Sequence, residues 1–175
     1  MCRAHNITGR NIHLHELPIV SFNINGIFKK VGNFRYSKLN DDFVNYIFAS
    51  NKIVGLIETH HLDSEIGDLH VEGFTLFNNC RPKKARAGKH WGGVAVYVHK
   101  SVRPGVHRIP RPGSETIWVK LDKNFFGLRK DVYTCFAYAA HANSAFLSNN
   151  QLDIFDELGN QLSEYPCWFN VNLNL

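Results

Sequence analysis

Hydrophobic and polar positions along this chain alternate over short strand-length runs, broken by two segments of helical period. The runs Ile19-Val20-Ser21-Phe22-Asn23-Ile24-Asn25-Gly26 and Ile53-Val54-Gly55-Leu56-Ile57 read as strands, the second apolar throughout and therefore buried. Between them Leu39, Phe43, Tyr46 and Ile47 recur at helical spacing, with Ser37 or Asn40 placed to cap, which predicts a linking helix and a βαβ-like beginning. Phe74 to Asn78, Gly92 to His99, Ile117 to Leu121 and Val132 to Tyr138 are further strands, separated by Gly, Pro and charged turns, and antiparallel pairing is expected among them. A second helix is expected from Ser148 to Leu162, where Leu152, Phe155, Leu158 and Leu162 form an apolar stripe that Tyr165-Pro166 ends. A last short strand begins near Cys167. Residues 1–17, polar and histidine-rich without a period, read as a weakly ordered leader outside a domain spanning 18–175.

Composition sets the scale: 175 residues, 44% hydrophobic and 13% aromatic, suffice for one core rather than two. No apolar stretch approaches the roughly 20 residues that cross a bilayer, and the N-terminus, with His5, Arg10, His13 and His15, lacks a signal-peptide apolar region. An intracellular, non-secreted protein is expected. Cys2, Cys80, Cys135 and Cys167 are scattered without Cys-x-x-Cys pairing, so they read as free thiols. The formal charge of +5 suits a polyanionic partner. Its distribution says more, because Arg81, Lys83, Lys84, Arg86 and Lys89 fall in one loop, and Lys100, Arg103, Arg108 and Arg111 follow in the next connection. Such clusters bind phosphates largely by counterion release, without reading bases. A solvated loop that keeps the protein soluble is the competing reading.

Candidate chemistry centres on Glu58, a carboxylate delivered at the C-terminal end of a buried strand. Asn23 and Asn25 stand at alternate positions at the end of the earlier strand, where carboxamides can hold a metal-bound water or a phosphate oxygen beside Glu58. Taken alone, Asn25-Gly26 is also an ordinary turn dipeptide, and Glu58 could cap the following Thr59-His60-His61 or pair with a lysine. His60 and His61, being adjacent, point opposite ways on an extended segment and read as loop histidines. His13 and His15 alternate like ligands but have no third partner nearby.

The blocks Asn23-Ile24-Asn25-Gly26, Glu58-Thr59-His60, Gly92-Gly93-Val94-Ala95-Val96-Tyr97-Val98, Glu115-Thr116-Ile117-Trp118-Val119-Lys120-Leu121 and Asp131-Val132-Tyr133-Thr134-Cys135-Phe136-Ala137-Tyr138 stand in a fixed order. In that order they resemble the endonuclease/exonuclease/phosphatase family, particularly the apurinic-endonuclease-like domains of non-LTR retrotransposons. The resemblance covers residues 18–175. It implies an α+β fold, a partial four-layer α/β sandwich of two packed β-sheets flanked by helices and incomplete at the C-terminus. It also implies a magnesium-dependent phosphodiesterase, with manganese as an alternative ion, a monomer acting on DNA in the nucleus. RNA and phospholipid headgroups are the other substrates found in the family.

On this resemblance Glu58 is the principal metal carboxylate, Asn23 and Asn25 line the same site, and Tyr138 stands near the scissile phosphate. Asn25 occupies a position where many relatives carry an acid, so metal affinity is expected to be lower. The connection after Tyr138 lacks the family's proline, leaving His141, with Asn143 as its competitor, to contact phosphate. The family's Gly-Asp-x-Asn is set against Val171-Asn172-Leu173-Asn174, which puts Asn172 in the position of the general base and Asn174 in that of the asparagine. An amide cannot act as that base. No counterpart of the family's final Ser-Asp-His follows. A truncated or decayed endonuclease with little activity of its own is therefore expected, with a noncatalytic nucleic-acid-binding remnant as the alternative.

Overall fold

Strand β4 (Ile53–Ile57) is buried at every residue, and the other elements are arranged to cover its two faces. The computed structural model describes residues 17–80, 92–111, 116–139, 154–163 and 169–174. Within them β4 pairs in parallel with β1 (Ile19–Asn23) and antiparallel with β6 (Val94–His99), and β6 pairs antiparallel with β5 (Phe74–Asn79). The sheet order is β1-β4-β6-β5. A second sheet runs β10-β9-β8-β7, from β7 (Val106–Ile109), β8 (Thr116–Leu121), β9 (Val132–Tyr138) and β10 (Phe169–Asn174). β9 pairs antiparallel with β8 and parallel with β10.

Alternation along each strand sorts its side chains between layers. Ile53 and Ile57 of β4, Val94, Val96 and Val98 of β6, Ile117, Val119 and Leu121 of β8, and Phe136 and Tyr138 of β9 form the core between the two sheets. Val54, Leu56, Ala95 and Tyr97 turn to the opposite face of the first sheet, where helix α1 (Asp42–Ser50) supplies Val44, Ile47 and Phe48. On the outer face of the second sheet, Trp118, Cys135 and Ala137 pack with Leu158 of a helix at Ile154–Ser163. One turn further on that helix, Gln161 accepts a 2.5 Å hydrogen bond from the Trp118 indole, so the buried indole donor is satisfied where the helix docks. The result is the expected four-layer α+β sandwich of helix, sheet, sheet and helix. Among the described residues no helix is long and apolar enough to cross a membrane.

Several local expectations change. Leu17, assigned to the leader, is 7% exposed and packs in the inter-sheet core, and the Pro18 carbonyl accepts from Lys52 N–H at 2.9 Å. The first helix begins at Asp42, and its core face is Val44, Ile47 and Phe48. Phe43 and Tyr46, which share the helical spacing, are 65% and 68% exposed. Ser37 caps a short 3-10 turn, Lys38–Asn40, instead of the helix. A hairpin, β2 (Phe28–Val31) with β3 (Phe34–Ser37), lies within the β1-to-β4 crossover and has no counterpart in the sequence reading. Strand β7 was likewise read only as a charged connection. The second helix is described from Ile154, so the start expected at Ser148 lies outside the described residues, as does residues 1–16 of the leader.

Gly55 sets how closely the sheets approach. A Cβ there would fall 2.2 Å from a carbon of the Phe136 ring, and Phe136 is itself fully buried. Gly55→Ala is therefore expected to lower unfolding stability by about 1–3 kcal/mol through overpacking, measured by urea denaturation. An unchanged midpoint would mean that the ring moves aside without cost.

Candidate active site at the strand ends

Five strands end at one edge of the sandwich. β1, β4 and β5 all run toward it in the first sheet, and β9 and β10 do so in the second. The two sheets are tied together there, where the Asn79 amide at the end of β5 donates to the Thr116 carbonyl at the start of β8 at 2.5 Å. Arg108 of the edge strand β7 donates to Asn79 Oδ1 at 2.5 Å, which brings a guanidinium to the same rim. Thr116 is 2% exposed and its hydroxyl has no hydrogen-bond partner among the described residues.

Glu58 follows β4 directly and is half-buried. Its backbone lies at φ +57°, in the left-handed region that a glutamate seldom adopts, with Asn25 at +47° and His60 at +52° beside it. Hydrogen bonds on both sides hold this geometry. Gly26 and Ile27 N–H donate to the Glu58 and Thr59 carbonyls at 2.6 and 2.9 Å, while Thr59 and His60 N–H donate to the Gly93 and Gly92 carbonyls at 3.2 and 2.9 Å. Gly93 is required by close approach, because a Cβ would fall 2.6 Å from Thr59 Oγ1 at a backbone φ of +86°. Left-handed non-glycine residues cost on the order of 1–3 kcal/mol each, and here the surrounding ladder fixes them.

Asn23 and Asn25 are exposed on the adjoining turn. Asn23 Oδ1 accepts from Asn25 N–H at 2.8 Å, so the two expected site asparagines are coupled by an Asx-type turn, and the turn reading of Asn25-Gly26 is also realised. Lys38 fastens the same turn from below, donating to the Ile24 and Asn25 carbonyls at 2.6 and 2.9 Å. Burial lowers its ammonium pKa, Asp41 opposes that shift and Lys29 adds to it. Lys38 had no motif to mark it. Its role comes from chain folding, since the hairpin returns it to the turn it left thirteen residues earlier.

Tyr138 ends β9 at this edge and is only 8% exposed, within the inter-sheet core. β10 sets Asn172 in register with Phe136 and Asn174 with Tyr138, so Asn174 is the asparagine that reaches the strand end. His141 and the basic residues Arg81, Lys83, Lys84, Arg86 and Lys89 lie outside the described residues. His61 lies in a loop, as expected, and is 1% exposed there. Its Nδ1 lies 2.7 Å from Thr59 Oγ1, and its Nε2 has no partner among the described residues. Among the described residues no three His, Cys, Asp or Glu side chains gather as a metal cluster. Among the described residues, the groups this edge offers a metal are the Glu58 carboxylate after β4 and the carboxamides of Asn23 and Asn25 on the adjoining segment, while the Asp63 carboxylate is engaged by the Cys80 thiol. Such hard oxygen donors fit an ion that keeps most of its water shell, as magnesium does.

No protein-family model matches the chain, and no curated protein sequence does. Solved structures do resemble it. AP endonuclease LMAP from Leishmania major is similar with a TM-score of 0.61 at 12% identity, over 91% of this chain and 55% of that one. The human Nocturnin catalytic domain with bound sulfate anion gives 0.55 at 14%, over 90% and 63%. TDP2 from D. rerio complexed with single-strand DNA product gives 0.50 at 10%, over 90% and 58%. The chain thus has the endonuclease/exonuclease/phosphatase fold, and it spans between 55% and 63% of the length of these three structures.

Burial lowers the His61 pKa, with Glu65 and Asp63 opposing. A group depressed in the folded state contributes stability above its unfolded pKa, near 6.5, and loses it as pH falls through the folded value. Unfolding free energy is therefore expected to drop below pH 6.5, and His61→Gln to flatten that slope by at most about 1.4 kcal/mol per pH unit. Parallel curves for the two proteins between pH 7.5 and 5 would assign the proton uptake elsewhere.

Proposed function

We propose that this chain is a nucleic-acid phosphodiesterase domain of the endonuclease type, with Glu58 as its metal carboxylate and Asn23 and Asn25 beside it. The observation that carries the reading is Glu58 itself, a carboxylate held on a left-handed backbone in a segment bonded to the turn after β1 and to the glycines before β6, at the edge where the strand ends meet. Rigid positioning of that kind suits a group that must anchor charge at a fixed point. The fold shared with an AP endonuclease and with a TDP2 bound to a single-strand DNA product favours nucleic acid as the substrate class. The cations at Arg81, Lys83, Lys84, Arg86 and Lys89 favour the same polyanion. The ordered sequence blocks favour the retrotransposon branch of the family.

Magnesium bound by Glu58 would supply charge neutralisation on a phosphate and a more acidic water. The chain's own groups divide the remaining work. Asn23 and Asn25 orient water or a phosphate oxygen, Tyr138 and Asn174 bound the other side of the edge, and His141 contacts phosphate. Asn172 holds the position of the base and cannot remove a proton from water, so turnover is low. A general base typically contributes about 10²- to 10⁴-fold. That same amide favours a second reading, a binding domain without catalysis.

Two measurements separate these readings. Calorimetric titration with magnesium or manganese is expected to show weak binding that Glu58→Ala removes, and equal affinity in the two proteins would take Glu58 out of the site. Incubation of the purified chain with magnesium and supercoiled plasmid is expected to give no nicking above background. Nicking that disappears in Glu58→Ala would restore a full enzyme and require a base other than Asn172.

A further inference from the structure

We propose that the outward face of the β2–β3 hairpin is a stacking surface for an unpaired stretch of nucleic acid, lying beside the strand-end site. Cross-strand register separates the hairpin into two faces, since Phe28 pairs with Ser37 and Lys30 with Arg35, while Lys29 pairs with Tyr36 and Val31 with Phe34. The first face is anchored to the protein. Phe28 packs on the outer core of the first sheet, the Arg35 guanidinium lies 3.7 Å over the Phe28 ring, and Arg35 also donates to the Glu65 carboxylate. Glu65 in turn accepts from Leu62 N–H at 2.8 Å, which fixes the ribbon to the body of the domain.

The second face is left without a partner. Phe34, Val31 and Tyr36 are 70%, 53% and 50% exposed, with Lys29 directly across from Tyr36. Contiguous exposed apolar side chains of this kind mark an interaction surface. A groove of about 530 Å³ runs along this face to the start of α1, lined by Lys29, Val31, Tyr36 and Asp41 among others. Lys29 is in no ion pair among the described residues. Open aromatic faces beside an uncommitted cation match a chain of bases on a phosphate backbone, the arrangement by which single strands are held without sequence preference. A duplex hides its base faces and offers less to Phe34 and Tyr36.

Placement joins this surface to the site. The hairpin leaves the Asn25–Gly26 turn at Ile27 and returns at Lys38, where Lys38 N–H donates to the Ile27 carbonyl at 2.7 Å and the Lys38 ammonium caps the Asn25 carbonyl. A strand crossing the site edge therefore meets the ribbon within its length, on the order of 10 Å for four residues. This connection rests on the function proposed above, whereas the surface itself does not.

The test is fluorescence anisotropy with a labelled 15-nucleotide oligothymidylate and the matching 15-base-pair duplex, on the full chain in EDTA. Without metal, failure of Glu58 as a ligand leaves the measurement untouched. Phe34→Ala/Tyr36→Ala is expected to weaken oligothymidylate binding at least about tenfold while preserving its salt slope, and Phe34→Trp is expected to retain the affinity. Lys29→Gln should lessen the slope of log affinity against log salt by about 0.7. Phe34, Tyr36 and Lys29 share the outward face of an anchored ribbon, and circular dichroism checks each variant's fold. Unchanged affinity in the double alanine variant, or equal loss on the duplex, would overturn the proposal. So would concentration-dependent dimerisation in sedimentation that the alanine variant removes while oligonucleotide affinity is kept, since the face would then belong to a second copy.

Discussion

The approach of Gly55 to Phe136 governs this structure. Two sheets with large inward side chains ordinarily pack about 10 Å apart. Here a ring from the second sheet occupies the place where the central strand of the first has no side chain. That contact fixes which residues of β4 and β9 face each other. It thereby fixes which strand ends meet, and the chemistry of the edge follows from the match. Displacing the ring would shift Tyr138 and the β10 strand paired to it relative to Glu58.

Rigidity is distributed unequally around that edge. The segment carrying Glu58 is bonded on one side to the turn after β1 and on the other to the glycines before β6, so its unusual backbone is determined by three strands together. The turn carrying Asn25 is fastened by its own Asx bond and by Lys38. The acid is thus carried by the least adjustable stretch of backbone, and the carboxamides by a turn on the surface. Such a division suits a site in which one charge is fixed and the surrounding groups adapt to what binds.

The surface near the turn has a different logic. The hairpin buries one face through Phe28 and the Arg35–Glu65 pair and leaves aromatics on the other. Helix α1 repeats the pattern, burying Val44, Ile47 and Phe48 while Phe43 and Tyr46 stay exposed. Phe43 still meets Phe22 of β1 edge-on, with ring centroids 6.1 Å apart, so exposure does not mean that it lacks contacts.

How much of this was legible in the chain follows from the range of the forces involved. Period-two alternation and continuous apolar runs are local consequences of strand burial; they marked β4, β5, β6, β8 and β9 within a residue or two, and β1 from its first residue but three residues too long. The order of motifs carried the fold as well, because strand ends bearing Asn23, Glu58 and Tyr138 recur in a fixed sequence. The hairpin escaped because its outward face is aromatic and its inward face carries Lys30 and Arg35, so polarity gives no sign of a strand. Spacing marked the first helix but not its core face, since Phe43 and Tyr46 satisfy the period without being buried. The amino-acid sequence determined the strands, the carboxylate and its neighbouring amides. Only tertiary structure decided that Glu58 is held left-handed between two neighbours, that His61 is buried, and that Asn79, Thr116 and Arg108 share the edge. Those facts depend on hydrogen bonds and contacts between residues far apart in the chain, which no local pattern encodes.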